Sequence, residues 1–141
     1  MKKNKVLDIN NTPVDVVKCY LKAWQGRDLV QLLFSMQETF RQQYSAFNVA
    51  TMFFNKSRQI ENFKVIEEQI PERNTASVVQ RDVLVEIEFK DMEPEKFLVV
   101  VNCEKQGEKP NAQGQMIPAY IPSPNGLWGV YPTHTFRKVK K

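Results

Sequence analysis

The chain has 141 residues and a formal net charge of +4, and 42% of its residues are hydrophobic. A chain of this length forms one ordinary domain, which can bury a core without disulfides or metals. Seven of the 20 basic residues lie within five residues of an end; the rest of the chain has 13 basic and 16 acidic residues, which argues against a specific nucleic-acid partner. No apolar run approaches the roughly 18 residues of a membrane helix, and residues 1–11 form a basic tail without a signal-peptide core, so the sequence predicts a cytoplasmic protein.

Residues 12–26 have the pattern of a capped amphipathic helix. Thr12 suits the N-cap, Pro13 the first helical position and Asp15 the third, where its carboxylate meets the positive end of the helix dipole. Gly26 follows at a position where a left-handed C-cap fits. The spacing predicts a buried stripe formed by Val17, Tyr20, Leu21 and Trp24.

Two further helices are predicted before the pattern changes. A second helix begins after Asp28 and carries the same apolar spacing at Leu29, Leu32, Leu33, Met36 and Phe40. A third, short helix covers about residues 48–55, with Asn48 as its cap. Its buried face is predicted to contain Val49, Met52 and Phe53.

From Ile60 onward the apolar period becomes two and β-branched residues dominate, which predicts strands. The strands are expected in "NFKVIEEQI", "ASVVQRDVLVEIEF", "KFLVVVNCEK" and "GLWGVYPTHTFRKV". The third has apolar residues on both faces, as a central strand does. Helices followed by antiparallel strands predict an α+β fold in which the N-terminal helices pack on one face of the sheet.

The order of these elements resembles the nuclear transport factor 2-like, or cystatin-like, superfamily over residues 12–139, which we therefore expect to form a single domain. The resemblance rests on "TPVDVVKCYLKAWQGRD", the second helix directly after "GRD", and the strand "GLWGVY". It implies a cone in which a curved sheet wraps the helices, with a pocket at the open end and a dimer contact on the outer sheet face. The side chains expected in the pocket wall are Tyr20, Trp24, Phe40 and Trp128.

Residues 106–126, "QGEKPNAQGQMIPAYIPSPNG", depart from that family, where a short hairpin usually joins the last two strands. Long connections without regular structure are uncommon and are usually functional or disordered. The prolines favour extended backbone. We therefore expect an inserted arm that packs on its own sheet, contacts a partner or covers the pocket. Its candidate interface residues are Met116, Ile117, Tyr120 and Ile121.

Three residues are weak candidates for acid–base catalysis. His134 is the only histidine and lies in "THTFRKVKK", a context typical of a surface residue. Asp82 interrupts an apolar strand, where a buried acid with a raised pKa would suit proton abstraction; its neighbour Arg81 fits a solvent-exposed bulge equally well. Tyr20 offers a hydroxyl to a ligand, although its helical position is typical of a core aromatic.

No sequence motif points to a metal or a cofactor. Cys19 and Cys103 are lone thiols without metal-ligand spacing, and we expect both to be small core residues. A Gly-rich phosphate loop, a nucleophile elbow and HExxH do not occur. The sequence predicts neither a metal site nor a bound cofactor.

Two functional hypotheses remain. The favoured one is a non-catalytic binding or assembly module that forms a homodimer or joins a larger complex, with a small apolar ligand as the candidate occupant of its pocket. The alternative is a small pocket enzyme of the isomerase, dehydratase or hydrolase type that uses acid–base catalysis. Convergent polar groups beneath the first helix would favour the enzyme, because an apolar lining alone cannot move protons.

Overall fold

The structure is a computed structural model that describes residues 11–54, 59–70, 79–131 and 137–138. Within these residues the helices are α1 (Pro13–Gly26), α2 (Leu29–Phe34), α3 (Glu38–Gln43) and α4 (Ala46–Phe53). The strands are β1 (Ile60–Gln69), β2 (Gln80–Phe89), β3 (Glu95–Pro110), β4 (Met116–Pro122), β5 (Leu127–Val130) and β6 (Arg137–Lys138). The helices pack against a curled antiparallel sheet, so the predicted α+β class is confirmed.

Helix α1 begins as its sequence predicts and ends one residue later than expected. The Thr12 hydroxyl accepts a hydrogen bond from the Asp15 amide at 3.2 Å, and Pro13 occupies the first turn. The left-handed residue at the end is Arg27, with φ of 56°, whereas Gly26 is still helical. The Arg27 guanidinium donates to the Phe54 carbonyl at 2.8 Å, so this conformation is held by a contact with the end of α4.

The single second helix that the spacing predicted is broken into α2 and α3. Between them, the Val130 amide donates to the Ser35 carbonyl at 2.8 Å, and the Gln37 amide donates to the Val130 carbonyl at 2.9 Å. Met36 thereby forms a parallel bridge with β5. Pairing with a strand distant in sequence overrides the local helical period here, and the predicted apolar positions Met36 and Phe40 are nevertheless buried.

The third predicted helix exists as α4, but its start was wrong. Ser45 is the N-cap and accepts from the Asn48 amide at 3.1 Å, which places Asn48 inside the helix. Val49 and Phe53 are buried as predicted, whereas Met52 is 39% exposed. The helix therefore turns a narrower apolar face to the core than its composition suggested.

The core lies between the helices and the face of β2 and β3 that carries the predicted alternation. The side chains on that face are Val83, Val85, Ile87 and Phe89 of β2, and Phe97, Val99, Val101 and Cys103 of β3, and all are buried. On the helix side, the Trp24 ring lies 4.9 Å from Phe53 and 5.9 Å from Tyr20, in edge-to-face arrangements. Trp24 and Leu21 are buried as predicted, and Leu33 is partly buried at the margin.

Strand β3 changes neighbours along its length. The Cys103 amide donates to the Val79 carbonyl at 2.8 Å, and the Cys103 carbonyl accepts from the Ser123 amide at 3.0 Å. Both groups of one residue point to the same edge of an antiparallel strand, so β4 continues along the edge that β2 occupies. Strand β5 pairs with the opposite edge, where the Tyr131 amide donates to the Val100 carbonyl at 3.0 Å.

Residues 123–126 cross from one edge of β3 to the other. A Cβ atom at Gly126 would overlap the Glu104 carbonyl group and lie 2.8 Å from the Lys105 nitrogen, so only glycine fits at the crossing. Residues 106–126 thus consist of the end of β3, a turn, β4 and this crossing. No strand was predicted in this segment; the proline-containing residues form one because they pair with an extension of β3.

Candidate functional site

An exposed regular feature of the described chain is the β3–β4 hairpin, residues 104–122. Its strands pair from Glu104 opposite Pro122 to Pro110 opposite Met116. The turn is built on Asn111, whose side-chain oxygen accepts from the Gln113 amide at 2.9 Å and from the Gln115 amide at 3.0 Å. The hairpin is therefore a defined ribbon rather than a loose loop.

The two faces of the hairpin carry different side chains. Alternation places Lys105, Gly107 and Lys109 on the face that continues the core side of β3, together with β4 residues Ile117, Ala119 and Ile121. A Cβ atom at Gly107 would lie 2.8 Å from Ile121 Cδ1, so the missing side chain at Gly107 provides the space that Ile121 occupies. The other face carries Gln106, Glu108, Pro110, Met116, Pro118 and Tyr120.

Both faces leave apolar side chains open to solvent. Met116 is 57% exposed and Ile117 is 39% exposed, while Tyr120 and Ile121 are partly buried. In the part of the chain that the structure describes, β4 pairs with β3 alone. A two-stranded ribbon is marginally stable in water, and apolar residues exposed on such a ribbon make it a candidate interaction surface.

The outer edge of β4 is unsuited to accept a further strand. The Ser123 amide donates to the Cys103 carbonyl of β3. The backbone N–H and C=O groups of odd-numbered β4 residues therefore point toward β3, and those of even-numbered residues point outward from the sheet edge. Pro118 and Pro122 occupy two of these outward positions and have no N–H group to donate. Prolines on an exposed edge are a common protection against strand addition.

Beyond β5, the edge of β3 that no described strand occupies is protected by charge against pairing with its own copy. In a two-fold antiparallel pair centred on Gly107, Lys105 of one copy would lie opposite Lys109 of the other. Centred one residue earlier, Glu104 would oppose Glu108; centred one residue later, Glu108 would oppose itself. Like charges in directly opposed positions destabilise strand pairs, so the faces of the hairpin are its available surface.

The outer edge of β5 differs, because the chain itself covers it. The Trp128 amide donates to the Asn11 side-chain oxygen at 2.6 Å, and the Asn11 side-chain amide donates to the Trp128 carbonyl at 3.2 Å. The backbone N–H and C=O groups of Val130 are hydrogen-bonded to the backbone of Ser35 and Gln37. This edge offers no place for a partner strand at either residue.

A polar cluster fixes the base of the hairpin to the helical layer. Glu104 is 9% exposed, and its carboxylate accepts hydrogen bonds from the Gln37 side-chain amide at 2.5 Å and from the Thr39 hydroxyl at 2.8 Å. Asn102 donates to the Gln37 side-chain oxygen at 2.8 Å. Asn102 and Glu104 alternate with core-facing residues, so the cluster lies on the opposite face of β3. Its groups are satisfied by one another, as a structural network requires.

The predicted pocket residues occupy two different places. Tyr20, Trp24 and Phe40 are fully buried, and Tyr20 and Trp24 pack on one another. Trp128 is partly exposed on β5, with the Arg81 guanidinium 5.8 Å from its ring centroid. The structure therefore brings Tyr20 and Trp24 together within the core, and places Trp128 beside a charged group.

The candidate catalytic residues are not brought together where they are described. Asp82 is 9% exposed and lies opposite Gln69 and Val100 in the sheet. It alternates with core-facing Val83, so it projects from the face opposite the one that packs on Tyr20. Arg81 pairs with Glu68 at 3.1 Å. His134 lies outside the described residues.

The two thiols lie in environments that disfavour ionisation. Desolvation raises the pKa of the Cys103 thiol above its ordinary value; the Gly126 backbone amide opposes that rise and the Glu104 charge adds to it. Burial likewise raises the pKa of Cys19, assisted by the Asp28 charge. Among the described residues, no group of three or more His, Cys, Asp or Glu side chains is arranged to hold a metal ion.

The hairpin and the Glu104 cluster are the features that sequence reasoning missed. The available signal for a tight turn was the pair Asn111 and Gly114, because glycine readily adopts a positive φ. Gly114 has a φ of 81° in this turn. The cluster had no local signal, since Gln37 and Glu104 are 67 residues apart in sequence.

Comparison with protein-family models, with curated proteins and with solved structures gave no match. None of the helices in the described ranges combines the length and the apolar character needed to cross a bilayer.

Proposed function

We propose that this protein is a non-catalytic binding or assembly module that forms a homodimer or joins a larger complex through the β3–β4 hairpin. The observation that carries the proposal is the exposure of Met116 and Ile117 on a ribbon that the described residues leave uncovered. A second subunit is the commonest cover for such a surface. Toward the base of the hairpin, Tyr120 continues the face of Met116, and Ile121 continues the face of Ile117.

The fold supports the proposal, because the chain itself covers the outer edge of β5 at Trp128 and Val130, whereas the faces of the hairpin stay exposed. The resemblance to the nuclear transport factor 2-like superfamily remains part of the proposal, supported by helices that precede a curled antiparallel sheet. A cytoplasmic location and a small apolar ligand remain predictions of the sequence.

The test is the molar mass in solution at micromolar concentration, measured by light scattering. The wild-type chain is expected to be dimeric, and the double variant Met116→Ser/Ile117→Thr is expected to shift toward the monomer. Thermal unfolding of both proteins establishes that the variant is folded.

A matched control replaces two exposed apolar residues elsewhere. Val30 and Phe34 lie one turn apart on α2 and are 60% and 53% exposed. The variant Val30→Ser/Phe34→Ser is expected to keep the wild-type mass. A monomeric wild-type chain contradicts self-association, and a mass shift in the control alone would move the interface to α2.

A further inference from the structure

A groove of about 470 Å³ lies at the opposite end of the sheet from the hairpin tip. The residues that line it are Glu61, Glu88, Lys90, Asp91, Met92 and Glu93. Four carboxylates and one lysine give it a negative balance, and Met92, 54% exposed, adds an apolar surface. We refer to it as the acidic groove.

The hairpin carries the complementary charge on one face. Lys105 and Lys109 are exposed and lie on the same face as Ile117 and Ile121, so this face is an apolar centre with two positive charges beside it. Glu108 alternates with the lysines and projects from the other face. An acidic surface that also offers an exposed apolar side chain therefore matches this face in charge and in polarity.

The length of β3 places these two surfaces at the ends of one strand. The acidic groove includes residues 90–93, which end two residues before β3 begins at Glu95, and the hairpin lysines precede Pro110, where β3 ends. Sixteen residues of strand span about 50 Å. Two copies lying antiparallel along this strand would bring the hairpin of each to the acidic groove of the other.

We propose that the lysine-bearing face of the hairpin docks in the acidic groove of a second copy of this chain, and that the contact is made twice about a two-fold axis. This inference rests on the proposed function and names its partner and both surfaces. The closed edges of the hairpin support docking by a face, because strand pairing is blocked by Pro118 and Pro122 on one side and by like charges on the other. Two simultaneous contacts strengthen each other, since the second forms within a dimer already held by the first.

Charge exchange between the two surfaces tests the inference. Variant one is Lys105→Glu/Lys109→Glu, and variant two is Glu88→Lys/Glu93→Lys. Each alone is expected to weaken self-association by about tenfold or more, because like charges then meet at both contacts. An equimolar mixture is expected to form a heterodimer, since each of its two contacts again joins opposite charges. Analytical ultracentrifugation at low salt measures the association of variant one, of variant two and of their mixture. Added salt is expected to weaken the wild-type dimer.

The matched control is Lys18→Glu/Lys22→Glu, which reverses two exposed lysines on α1 and changes the net charge equally. It is expected to associate like the wild type. A wild-type dimer unaffected by variant one overturns the docking inference and leaves the proposed function standing. A monomeric wild type overturns the docking inference together with the homodimer form of the proposed function. If variant two weakens self-association and variant one does not, the acidic groove binds a basic segment other than the hairpin, which would also overturn the inference. Assemblies that grow beyond two chains would contradict the two-fold arrangement.

Discussion

The two halves of β3 are covered very differently. The first half has β2 on one edge, β5 and β6 on the other, and helices on its core face. The second half has β4 on one edge, no described strand on the other, and exposed apolar side chains on its ribbon. One strand therefore serves as the centre of the core at one end and as a surface at the other, so substitutions at the two ends should affect different properties.

The largest expected effect is in the covered half. Trp24→Ala removes the ring that packs on Tyr20 and Phe53 beneath β2 and β3, and we expect it to lower the free energy of unfolding by about 3 to 5 kcal/mol. Chemical denaturation measures the change. Trp24→Phe keeps most of the volume and should lose less; equal losses from the two variants would mean that Trp24 does not fill the core.

The crossing between the two halves should be the next most sensitive position. Gly126→Ala would force a Cβ atom against the β3 backbone, and we expect a loss of about 1 to 3 kcal/mol. Gly107→Ala is the paired control, because its Cβ atom would meet only the side chain of Ile121. A greater loss at Gly107 than at Gly126 would contradict the crossing described here.

The Glu104 cluster, at the boundary between the two halves of β3, should contribute to the free energy of unfolding. Glu104→Ala leaves the Gln37 amide and the Thr39 hydroxyl without their acceptor, at a cost of about 1 to 3 kcal/mol. Glu104→Gln keeps a neutral acceptor and should cost less. Chemical denaturation compares the stability of the two variants. If Glu104→Ala unfolds at the same denaturant concentration as the wild type, the cluster does not contribute to stability.

The hairpin should show the reverse behaviour. Met116→Ser/Ile117→Thr changes exposed residues, so its effect on the free energy of unfolding of the monomer should stay within about 0.5 kcal/mol. Association should weaken in the same variant. A large loss of monomer stability without a change in mass would place these residues in the core of one chain, and the comparison of the two halves would fail.

The smallest effect should appear in thiol chemistry. Because burial raises the pKa of both thiols, little thiolate is present at neutral pH, and both should react slowly with a disulfide reagent in the native protein. Cys103 is fully buried and Cys19 partly exposed, so Cys19 should react first. The Gly126→Ala variant should speed labelling of Cys103, since the crossing residue lies beside that thiol.

Sequence patterns predicted the covered half of the molecule well. Alternation located Val83 to Phe89 and Phe97 to Cys103 on the core face, and the Thr12 cap located the start of α1. These features can be predicted from sequence periodicity because each is determined by a few residues that are neighbours in the chain.

The errors occurred where distant residues decide the structure. Met36 leaves the helical pattern because Val130 pairs with its neighbours, and residues 106–110 become strand because β4 returns beside them. The prolines indicated extended backbone but no strand pairing; Pro118 and Pro122 occupy outward positions of β4, where a missing N–H costs no ladder bond. The acidic groove could not be predicted either, because Glu61 and Glu93 meet only after β1, β2 and β3 have formed.

The two hydrogen bonds between Asn11 and Trp128 join residues 117 positions apart, so they have a consequence for the order of folding. The β3–β4 hairpin needs only neighbouring residues and can form within microseconds, whereas closure of the β5 edge requires one of the longest loops in the chain. During synthesis that edge stays open until Trp128 has left the ribosome. The fluorescence of Trp128 in a Trp24→Phe background should therefore report a late step in refolding.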